Sequence, residues 1–327
     1  MKILLTGATG FVGTNFVLNL HKKYEIIALV RQSSDVSKID KFCKIYRYDE
    51  SIESIQRVFE NEKIDGVVHL ATAYKPQYEI FDLEYMLNAN ICFGTQILEC
   101  IKLYKTSFFI NTATFSQFAN SNFYNPKTLY DAMKQAFMDI MSFYAKECKD
   151  SIFTSLMLFN PFGRYENPPR ILTLWAKNIK EKSSIKMGDG YQKVDFSHID
   201  NIVKAYDILI KLCINKKVKN NAIYSTESSR YSVRELAQIF ENVSGKKLDI
   251  RWGALTTKAE TINEPISYKT SKNILKLLNY KAKISLEEGI KMLINDNISS
   301  NGGGALTFLE NNLLSLQNSL NNTLEVA

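Results

Sequence analysis

The 327-residue chain has few of the residues that build disulfide frameworks and metal centres. It contains five cysteines and three histidines, and no two cysteines stand in a Cys-x-x-Cys spacing. An odd number of dispersed cysteines indicates reduced thiols, so we expect a cytoplasmic protein without structural disulfides. Paired histidine and cysteine ligands are missing too, and we therefore expect no metal site.

Long apolar runs are also missing. No stretch is long enough to span a bilayer and the first residues enter an apolar strand directly, so we expect neither a membrane segment nor a signal peptide. The charges are mixed, because 41 Lys and Arg against 34 Asp and Glu leave a net charge of +7. This excess favours anionic ligands, but it is too diffuse to imply nucleic-acid binding.

Apolar, strand-like segments alternate with helical patterns over the first half of the chain. That alternation predicts an α/β fold with a Rossmann-type, doubly wound parallel sheet. We expect the dinucleotide-binding domain to cover residues 1–160, with returning elements at about 190–225. Residues 161–296 are expected to form mainly a smaller α/β substrate-binding region. The predicted strands of the first half cover residues 1–6, 25–30, 44–48, 66–72, 108–112 and 153–158.

A glycine-rich loop follows the first predicted strand. It reads Gly7-Ala-Thr-Gly10-Phe11-Val12-Gly13, and the residues after it have helical spacing. A loop that leads from a strand into a helix directs backbone N–H groups, at the positive end of the helix dipole, towards an anion. Glycine lets a pyrophosphate approach that backbone closely. We therefore predict that Gly7, Gly10, Phe11, Val12 and Gly13 bind a dinucleotide.

The end of the second predicted strand bears on which dinucleotide is bound. A carboxylate there would accept hydrogen bonds from the ribose hydroxyls and repel a 2′-phosphate. This chain has Arg31-Gln-Ser33-Ser34 instead, and Asp35 lies farther into the loop. A guanidinium with nearby hydroxyls suits a phosphate dianion. We expect NADP(H), with Arg31 and Ser33 as ligands, and NAD(H) remains the alternative.

Tyr130 and Lys134 form a Tyr-x-x-x-Lys pair. Asn125 is a good N-cap and Pro126 a good first residue, so the pattern predicts a helix over residues 126–147. The two side chains then lie one turn apart on one face. We expect the ammonium to lower the pKa of the phenol from about 10 and to make Tyr130 a general acid or base. Lys134 can also reach the nicotinamide ribose.

Thr114 follows the fifth predicted strand, in Asn111-Thr-Ala-Thr114. The carboxyl ends of parallel strands face the cofactor crevice, so we expect Thr114 to hold the substrate oxygen. Together with Tyr130 and Lys134, it predicts redox chemistry at a carbon–oxygen bond.

These motifs resemble those of the extended short-chain dehydrogenase/reductases, the NAD(P)-dependent epimerase/dehydratase group that acts mainly on nucleotide sugars. The matching pieces span most of residues 1–294, namely 6–13, 67–71, 90–95, 112–114, Tyr130 with Lys134, 160–161, 190–200 and 285–289. The resemblance implies a Rossmann domain with a small C-terminal substrate domain, and Thr114, Tyr130 and Lys134 as catalytic residues.

The same resemblance implies further contacts. Leu70, Ala71 and Asn90 fall where the family binds its cofactor, and Asn160, Arg164 and Lys193 where it binds the nucleotide sugar. It also implies a homodimer formed through a helix bundle that includes the Tyr130 helix.

Members of this group catalyse dehydration, reduction or epimerisation of nucleotide sugars. The 4,6-dehydratases resemble one another in an Asp-Glu pair directly after the catalytic threonine, where this chain has Phe115 and Ser116. Those side chains cannot exchange the needed protons, so we do not expect a dehydratase. Through residues 110–114 and 124–130, the strongest resemblance is to the CDP-abequose and CDP-paratose synthase type. It implies NADPH-dependent reduction of the 4-keto group of a CDP-linked deoxyhexulose, in surface-polysaccharide (lipopolysaccharide) sugar biosynthesis. An NAD-dependent nucleotide-sugar 4-epimerase is the alternative, and a non-catalytic NADP-binding redox sensor is a second one.

The end of the chain has a different character. After Gly302-Gly-Gly304, leucines recur at alternating spacings of three and four, at Leu306, Leu309, Leu313, Leu316 and Leu320. The pattern predicts a Gly-linked, leucine-rich tail helix within residues 297–327 that docks on the body or on a second copy. The absence of Lys and Arg from that stretch argues against a basic membrane-binding helix, and a partner-binding helix remains the alternative.

Overall fold

The computed structural model describes residues 1–75, 77–255 and 261–299. The predicted leucine-rich helix that follows the three glycines lies outside the described residues and stays a prediction.

The described residues alternate between strands and helices along most of the chain. The strands are β1 (Lys2–Thr6), β2 (Glu25–Arg31), β3 (Lys44–Tyr48), β4 (Gly66–His69), β5 (Phe108–Thr114), β6 (Ile152–Leu158), β7 (Asn160–Phe162), β8 (Ile185–Lys186), β9 (Lys193–His198), β10 (Ala222–Ser225), β11 (Arg230–Ser232), β12 (Ile250–Arg251) and β13 (Ile274–Lys276). The α-helices are α1 (Phe11–Leu20), α2 (Ile52–Glu62), α3 (Asp82–Leu87), α4 (Phe93–Tyr104), α5 (Leu129–Glu147), α6 (Ile171–Glu181), α7 (Ile199–Ile214), α8 (Val233–Ser244) and α9 (Leu286–Ser299).

Eight of these strands form one parallel sheet, in the order β13-β10-β6-β5-β4-β1-β2-β3. The chain moves outward from β1 through β2 to β3 and then returns to β4 on the other side of β1. Doubly wound sheets bind ligands at this reversal, beyond the carboxyl ends of the strands. The predicted Rossmann-type sheet is confirmed, and each of the six predicted strands is present.

Helices cover both faces of this sheet. On one face α1 and α7 pack with Phe16, Tyr206 and Leu209 in their shared core. On the other face α2, α4 and α5 pack around Ile97, Phe109 and Phe137. Parallel strands that are buried on both faces read as continuous apolar runs rather than alternating ones, and Ile26 to Val30 in β2 show this pattern.

The second half of the chain adds a smaller unit with its own core. It contains a three-stranded sheet, β11-β9-β7, and a two-stranded sheet, β12-β8. These strands pack with α6, α8 and α9 around one hydrophobic core. β10 and β13 return to the large sheet, whereas β9, which falls within the expected returning segment 190–225, joins the small sheet. The division into domains at residue 160 stays a prediction.

The predicted start of α5 is wrong. The helix begins at Leu129, because Thr128 caps it in a capping box with Asp131. Asn125 lies in the preceding loop instead, where its backbone N–H donates to the Gln117 carbonyl at 2.8 Å. The Thr-x-x-Asp spacing is a capping signal that competes with Asn125-Pro126 and lies three residues later.

Candidate active site

The glycine loop turns from β1 into α1 with very little free space. Gly7 has a φ of 65°, in the left-handed region that favours glycine. A Cβ on Gly7 would lie 2.7 Å from the backbone nitrogen of Ala71, and a Cβ on Gly13 would lie 2.1 Å from the Gly7 carbonyl oxygen. Gly7 and Gly13 are therefore required by the packing of the loop itself.

Gly10 has a different surrounding. It is exposed at the N-cap of α1, and a Cβ there would meet only the Gly7 carbonyl oxygen, at 3.3 Å. The first turn of α1 has neither a side-chain cap nor an acidic residue. The backbone at Phe11 and Val12 thus forms an uncapped positive helix end beside a glycine that leaves room above it. These residues fit the pyrophosphate of a dinucleotide.

Thr6 joins the carboxyl ends of the two central strands. Its hydroxyl oxygen accepts hydrogen bonds from the backbone N–H groups of Leu70, at 3.2 Å, and Ala71, at 3.1 Å, and lies 2.9 Å from Nδ1 of His69. Burial among aromatic rings lowers the pKa of His69 to about 3, so its imidazole stays neutral. Leu70 and Ala71 therefore lie at the reversal of strand order, directly beside the glycine loop.

Arg31 lies at the outer end of this crevice, where β2 ends. Its Nη1 donates to the Tyr85 hydroxyl at 2.9 Å. Arg47, on the neighbouring strand β3, donates to the carbonyl oxygens of Arg31, at 3.2 Å, and Gln32, at 2.6 Å. Two guanidinium groups thus stand at one edge of the sheet. The second was not anticipated because it depends on the pairing of β2 with β3.

Asp35, the rival ribose ligand, is turned into its own loop. It accepts a hydrogen bond from the backbone N–H of Ser37 at 2.9 Å, and this bond holds the pKa of its carboxyl below the usual range. Ser33 is exposed in the turn between Arg31 and Asp35. The local geometry therefore leaves Arg31 and Ser33 accessible at the crevice edge.

Asn90 lies in a single π-helical turn between α3 and α4 and is buried. Its Oδ1 accepts from the Thr72 hydroxyl at 2.7 Å and from the Ala73 backbone N–H at 3.0 Å, and its Nδ2 donates to the Ala73 carbonyl at 3.0 Å. The side chain braces the loop that follows β4. Its predicted contact with the cofactor stays a prediction.

Tyr130 and Lys134 lie on consecutive turns of α5, as the spacing predicts. The Tyr130 ring packs edge-to-face against Tyr74, with centroids 5.0 Å apart. Burial raises the pKa of Tyr130 to about 12, and a hydrogen bond with Thr72 opposes that change. Burial also lowers the pKa of Lys134, which is 3% exposed, to about 8. The predicted lowering of the phenol pKa by Lys134 is wrong, because loss of water dominates and the positive charge that opposes it is that of Arg170.

Thr114 ends β5 and caps a short 3₁₀ turn. Its Oγ1 lies 2.8 Å from Oγ of Ser116, and the Ser116 hydroxyl in turn donates to Oδ1 of Asp131. Asp131 directly follows Tyr130 in α5. The structure thus connects the end of β5 with the first turn of the helix that carries Tyr130 and Lys134.

Asn160 and Lys193 come together at one cavity. Asn160 begins β7 and donates through Nδ2 to the Asp195 carbonyl at 3.1 Å, while Nζ of Lys193 lies 3.5 Å from Glu264. The cavity has a volume of about 180 Å³. The remaining described residues that line it are Phe115, Lys127, Gln192, Val194, Thr261, Ile262 and Pro265.

Arg164 lies elsewhere. Its Nε donates to Asn15 Oδ1 at 2.9 Å and its Nη2 to Asn19 Oδ1 at 3.3 Å, both on α1. The same Nη2 lies 3.6 Å from the Asp200 carboxylate at the start of α7. Arg164 therefore braces the helix that follows the glycine loop, and its predicted contact with a substrate stays a prediction.

Comparison with known proteins decides the family. The profile of the NAD dependent epimerase/dehydratase family matches residues 3–223. The chain belongs to this family. It is an NAD(P)-dependent enzyme of the extended short-chain dehydrogenase/reductase type, as the motifs indicate.

Individual members of the family are similar over nearly the whole chain. CDP-abequose synthase of Salmonella muenchen is 29% identical over 298 residues, which cover 90% of this chain and 97% of that protein. UDP-glucuronate 4-epimerase of Thermodesulfobacterium geofontis is 24% identical over 324 residues, 89% and 94% of the two chains. UDP-glucose 4-epimerase of Thermotoga maritima, solved with UDP-glucose, superposes with a TM-score of 0.78 at 20% identity, covering 92% and 99%.

In this epimerase/dehydratase-family chain, three supporting residues were not anticipated from sequence, namely Thr6, Arg47 and Asp131. Each forms hydrogen bonds with a residue in another element of the fold. Only Asp131 could have been found from the local sequence, through its capping box with Thr128. Across the described part of the chain, no helix is long and apolar enough to cross a membrane. Nor do its His, Cys, Asp and Glu side chains gather in groups of three that could hold a metal ion.

Proposed function

We propose that this protein uses NADPH to reduce the 4-keto group of a nucleotide-activated deoxyhexulose, with CDP as the nucleotide. The similarity to CDP-abequose synthase over 90% of the chain carries the proposal. Phe115 and Ser116, directly after Thr114, support it because they lack the acids that a dehydration requires. The reaction would serve the synthesis of surface-polysaccharide sugars in the cytoplasm, and the five free cysteines suit that compartment.

The proposed cofactor site follows the crevice from its outer edge to α5. Arg31 and Ser33 would bind the 2′-phosphate, and the loop at Gly7, Gly10 and Gly13 would bind the pyrophosphate through the backbone N–H groups of Phe11 and Val12. Leu70, Ala71 and Asn90 would line the path towards the nicotinamide, and Lys134 would bind the ribose hydroxyls. When bound, the dinucleotide supplies the hydride that adds to the carbonyl carbon.

Tyr130 is the proposed proton donor. A phenol with a pKa of about 10 or above is protonated at neutral pH, which is the form that a reduction requires, and burial raises the pKa of Tyr130 further, to about 12. The proton passes from the phenol to the carbonyl oxygen as negative charge develops there. Lys134, in its charged form, favours the phenolate that remains.

The substrate contacts are proposed at the other side of Tyr130. Thr114 would contact the reacting oxygen, and Asn160 and Lys193 would bind the nucleotide diphosphate at the 180 Å³ cavity. Lys193 and Lys127 supply positive charge there, which suits a diphosphate. Arg164 would contribute to this site only if it released Asn15 and Asn19.

A 4-epimerase is the second candidate, favoured by the similarity to UDP-glucuronate 4-epimerase over 89% of the chain. An epimerase returns its hydride to the same sugar, whereas a reductase consumes one NADPH in each turnover. Net oxidation of NADPH therefore separates the two activities.

A thermal-shift screen followed by a turnover assay tests the proposal. NADPH and NADH would each be combined with CDP-, UDP-, GDP- and dTDP-sugars, since ligands that bind the native state raise the melting temperature. We expect the largest shifts with NADPH and a CDP-sugar, and net NADPH oxidation with a CDP-4-keto-deoxyhexulose. Sugar interconversion without net oxidation would replace the reductase by the epimerase. A homodimer, proposed from the family resemblance, would be measured by sedimentation.

A further inference from the structure

A buried carboxylate directly follows the proposed proton donor. Asp131 is 1% exposed and lies in the first turn of α5. Its Oδ2 accepts from the backbone N–H of Thr128 at 2.9 Å and from the Thr128 hydroxyl at 2.8 Å. Its Oδ1 accepts from the hydroxyl of Ser116. All three partners donate, as a carboxylate requires, because it has no proton to give.

This carboxylate determines the direction of the hydrogen bonds that reach Thr114. The one proton of the Ser116 hydroxyl is committed to Asp131. Thr114 Oγ1 lies 2.8 Å from Ser116 Oγ, so the hydroxyl proton of Thr114 must be donated to Ser116. The backbone N–H of Ser116 also donates to Thr114 Oγ1, at 3.4 Å. A hydroxyl has one proton and two acceptor positions. Thr114 therefore retains one acceptor position and no donor.

We infer that Asp131, acting through Ser116, makes Thr114 an acceptor towards the reacting oxygen of the substrate. A 4-hydroxyl group can donate to such a threonine, whereas a 4-keto oxygen has no proton to offer. The inference rests on the proposed function, because it needs Thr114 beside the reacting oxygen. Asp131 is thus a positioning residue that favours the alcohol over the ketone, and proton donation to the ketone falls to Tyr130.

An Asp131→Asn substitution should reverse the chain of hydrogen bonds. The Thr128 backbone N–H needs an acceptor, so the asparagine oxygen takes the Oδ2 position and the amide nitrogen faces Ser116. Ser116 then accepts from the amide and donates to Thr114, and Thr114 can donate to a ligand. The variant differs from the native side chain by little in size, which makes it a test of hydrogen-bond direction rather than of packing.

The experiment compares two probes that differ at C4. CDP-4-keto-6-deoxyglucose and its borohydride-reduced 4-alcohol would be titrated against the full-length protein, without added dinucleotide so that no turnover occurs. Dissociation constants would be obtained from melting-temperature shifts. We expect Asp131→Asn to change the ratio of ketone to alcohol affinity by roughly tenfold in favour of the ketone, since one hydrogen bond is lost with one ligand and one gained with the other.

A second variant keeps the inference testable if Asp131→Asn does not fold. Ser116→Ala leaves the Thr128 cap intact and releases the Thr114 proton, so the ratio should move in the same direction. Thr128→Ala removes one donor to Oδ2 without touching Ser116, and Asp139→Asn makes the same amide change at an exposed position of α5. Both controls should leave the ratio unchanged.

The outcomes separate the two proposals. An unchanged ratio in both Asp131→Asn and Ser116→Ala, with both probes still bound, would overturn the inference and leave the proposed function in place. A ratio that moves equally in Thr128→Ala would also overturn it, because the effect would then belong to the helix cap. No melting shift with either probe in the unsubstituted protein would overturn the proposed function and the inference with it.

Discussion

The crevice proposed for the cofactor and the cavity proposed for the substrate are built from different kinds of contact. The crevice depends on backbone that turns within a few residues, where Gly7 and Gly13 leave no space for a Cβ. The cavity is lined by side chains from segments far apart in sequence, with Asn160 on β7 and Lys193 on β9. Substitution should therefore damage the crevice through steric overlap and the cavity through lost charge.

The basic side chains of the two regions also have different partners. At the crevice edge, Arg31 has a neutral hydroxyl as its partner. At the cavity, Lys193 is paired with Glu264, and Arg164, which lies away from the cavity, is engaged by α1 and Asp200. Within the described residues, a ligand phosphate would meet a cation with a neutral partner at Arg31 and would compete with the Glu264 carboxylate at Lys193. This contrast suggests that dinucleotide affinity depends more strongly on single cations than sugar-nucleotide affinity does.

The largest effect is expected at Tyr130, the proposed proton donor. Tyr130→Phe removes the proposed proton donor, and we expect turnover to fall by about 10²–10⁴-fold. Melting shifts with NADPH and with the nucleotide sugar should persist, because neither region loses its shape. Tyr124→Phe, at an exposed position of the preceding loop, is the matched control and should keep full activity. Unchanged turnover in Tyr130→Phe would remove this residue from the chemistry.

Two alanine substitutions in one loop sharpen the steric side of the comparison. In Gly13→Ala the new Cβ would lie 2.1 Å from the Gly7 carbonyl oxygen. We expect a loss of about 1–3 kcal/mol in the free energy of unfolding, as for an overpacked core, together with loss of the NADPH melting shift.

Gly10→Ala serves as the comparison within the loop, because its Cβ would lie 3.3 Å from the same oxygen, a tight contact but not an overlap. It should retain most of the stability and still weaken NADPH binding. Urea unfolding with and without NADPH measures both quantities. Equal stability losses at the two positions would contradict the packing argument.

Arg31→Ala tests whether one cation dominates the crevice edge. Removing a charged hydrogen-bond donor from a phosphate should weaken NADPH binding by about 10–100-fold, and NADH binding should change little. Arg57→Ala removes an exposed guanidinium that pairs with Asp49 and should alter neither. Direct titration of both dinucleotides measures the ratio. Equal losses for NADPH and NADH would disprove the 2′-phosphate contact.

The pH dependence tests the buried lysine. The pKa of Lys134 is lowered by burial to about 8, so its positive charge is lost as the pH rises through that value. If the charged form assists Tyr130, kcat/KM for reduction should be level below about pH 7 and fall about tenfold per pH unit well above pH 8. In Lys134→Arg the guanidinium stays charged, and the fall should move to higher pH. A profile that is level to pH 10 would exclude the role.

The smallest effects are expected in the substrate region. Lys193→Ala should raise the KM for the nucleotide sugar only a few-fold, because an exposed cation paired with Glu264 contributes about 0–1 kcal/mol. Arg164→Ala should instead lower the free energy of unfolding by about 1 kcal/mol, because hydrogen bonds to Asn15 and Asn19 are lost. Steady-state kinetics and urea unfolding of both variants test this division. A large rise in the KM of Arg164→Ala for the nucleotide sugar would support the predicted contact of Arg164 with the substrate.

Much of the first 160 residues follows from local patterns. Five of the six predicted strands are largely buried, and parallel strands buried on both faces are continuous apolar runs, which sequence shows directly. The sixth, β3, lies at the edge of the sheet and is only partly buried. The α5 boundary was missed because Asn125-Pro126 and Thr128 with Asp131 are competing helix starts of similar quality. The choice between them is made by the contact of Asn125 with Gln117, which lies in another element.

Sequence by itself determined the positions of the strands in the first half of the chain, the glycine loop, and the placement of Tyr130 and Lys134 on one helix face. These features depend on the spacing of residues close together in the chain, and that spacing can be recognised in the sequence alone. Only the tertiary structure decided the pKa directions of those two residues, the engagement of Arg164 with α1, and the link from Asp131 through Ser116 to Thr114. Those properties depend on burial and on hydrogen bonds between distant segments, which exist only once the elements have packed.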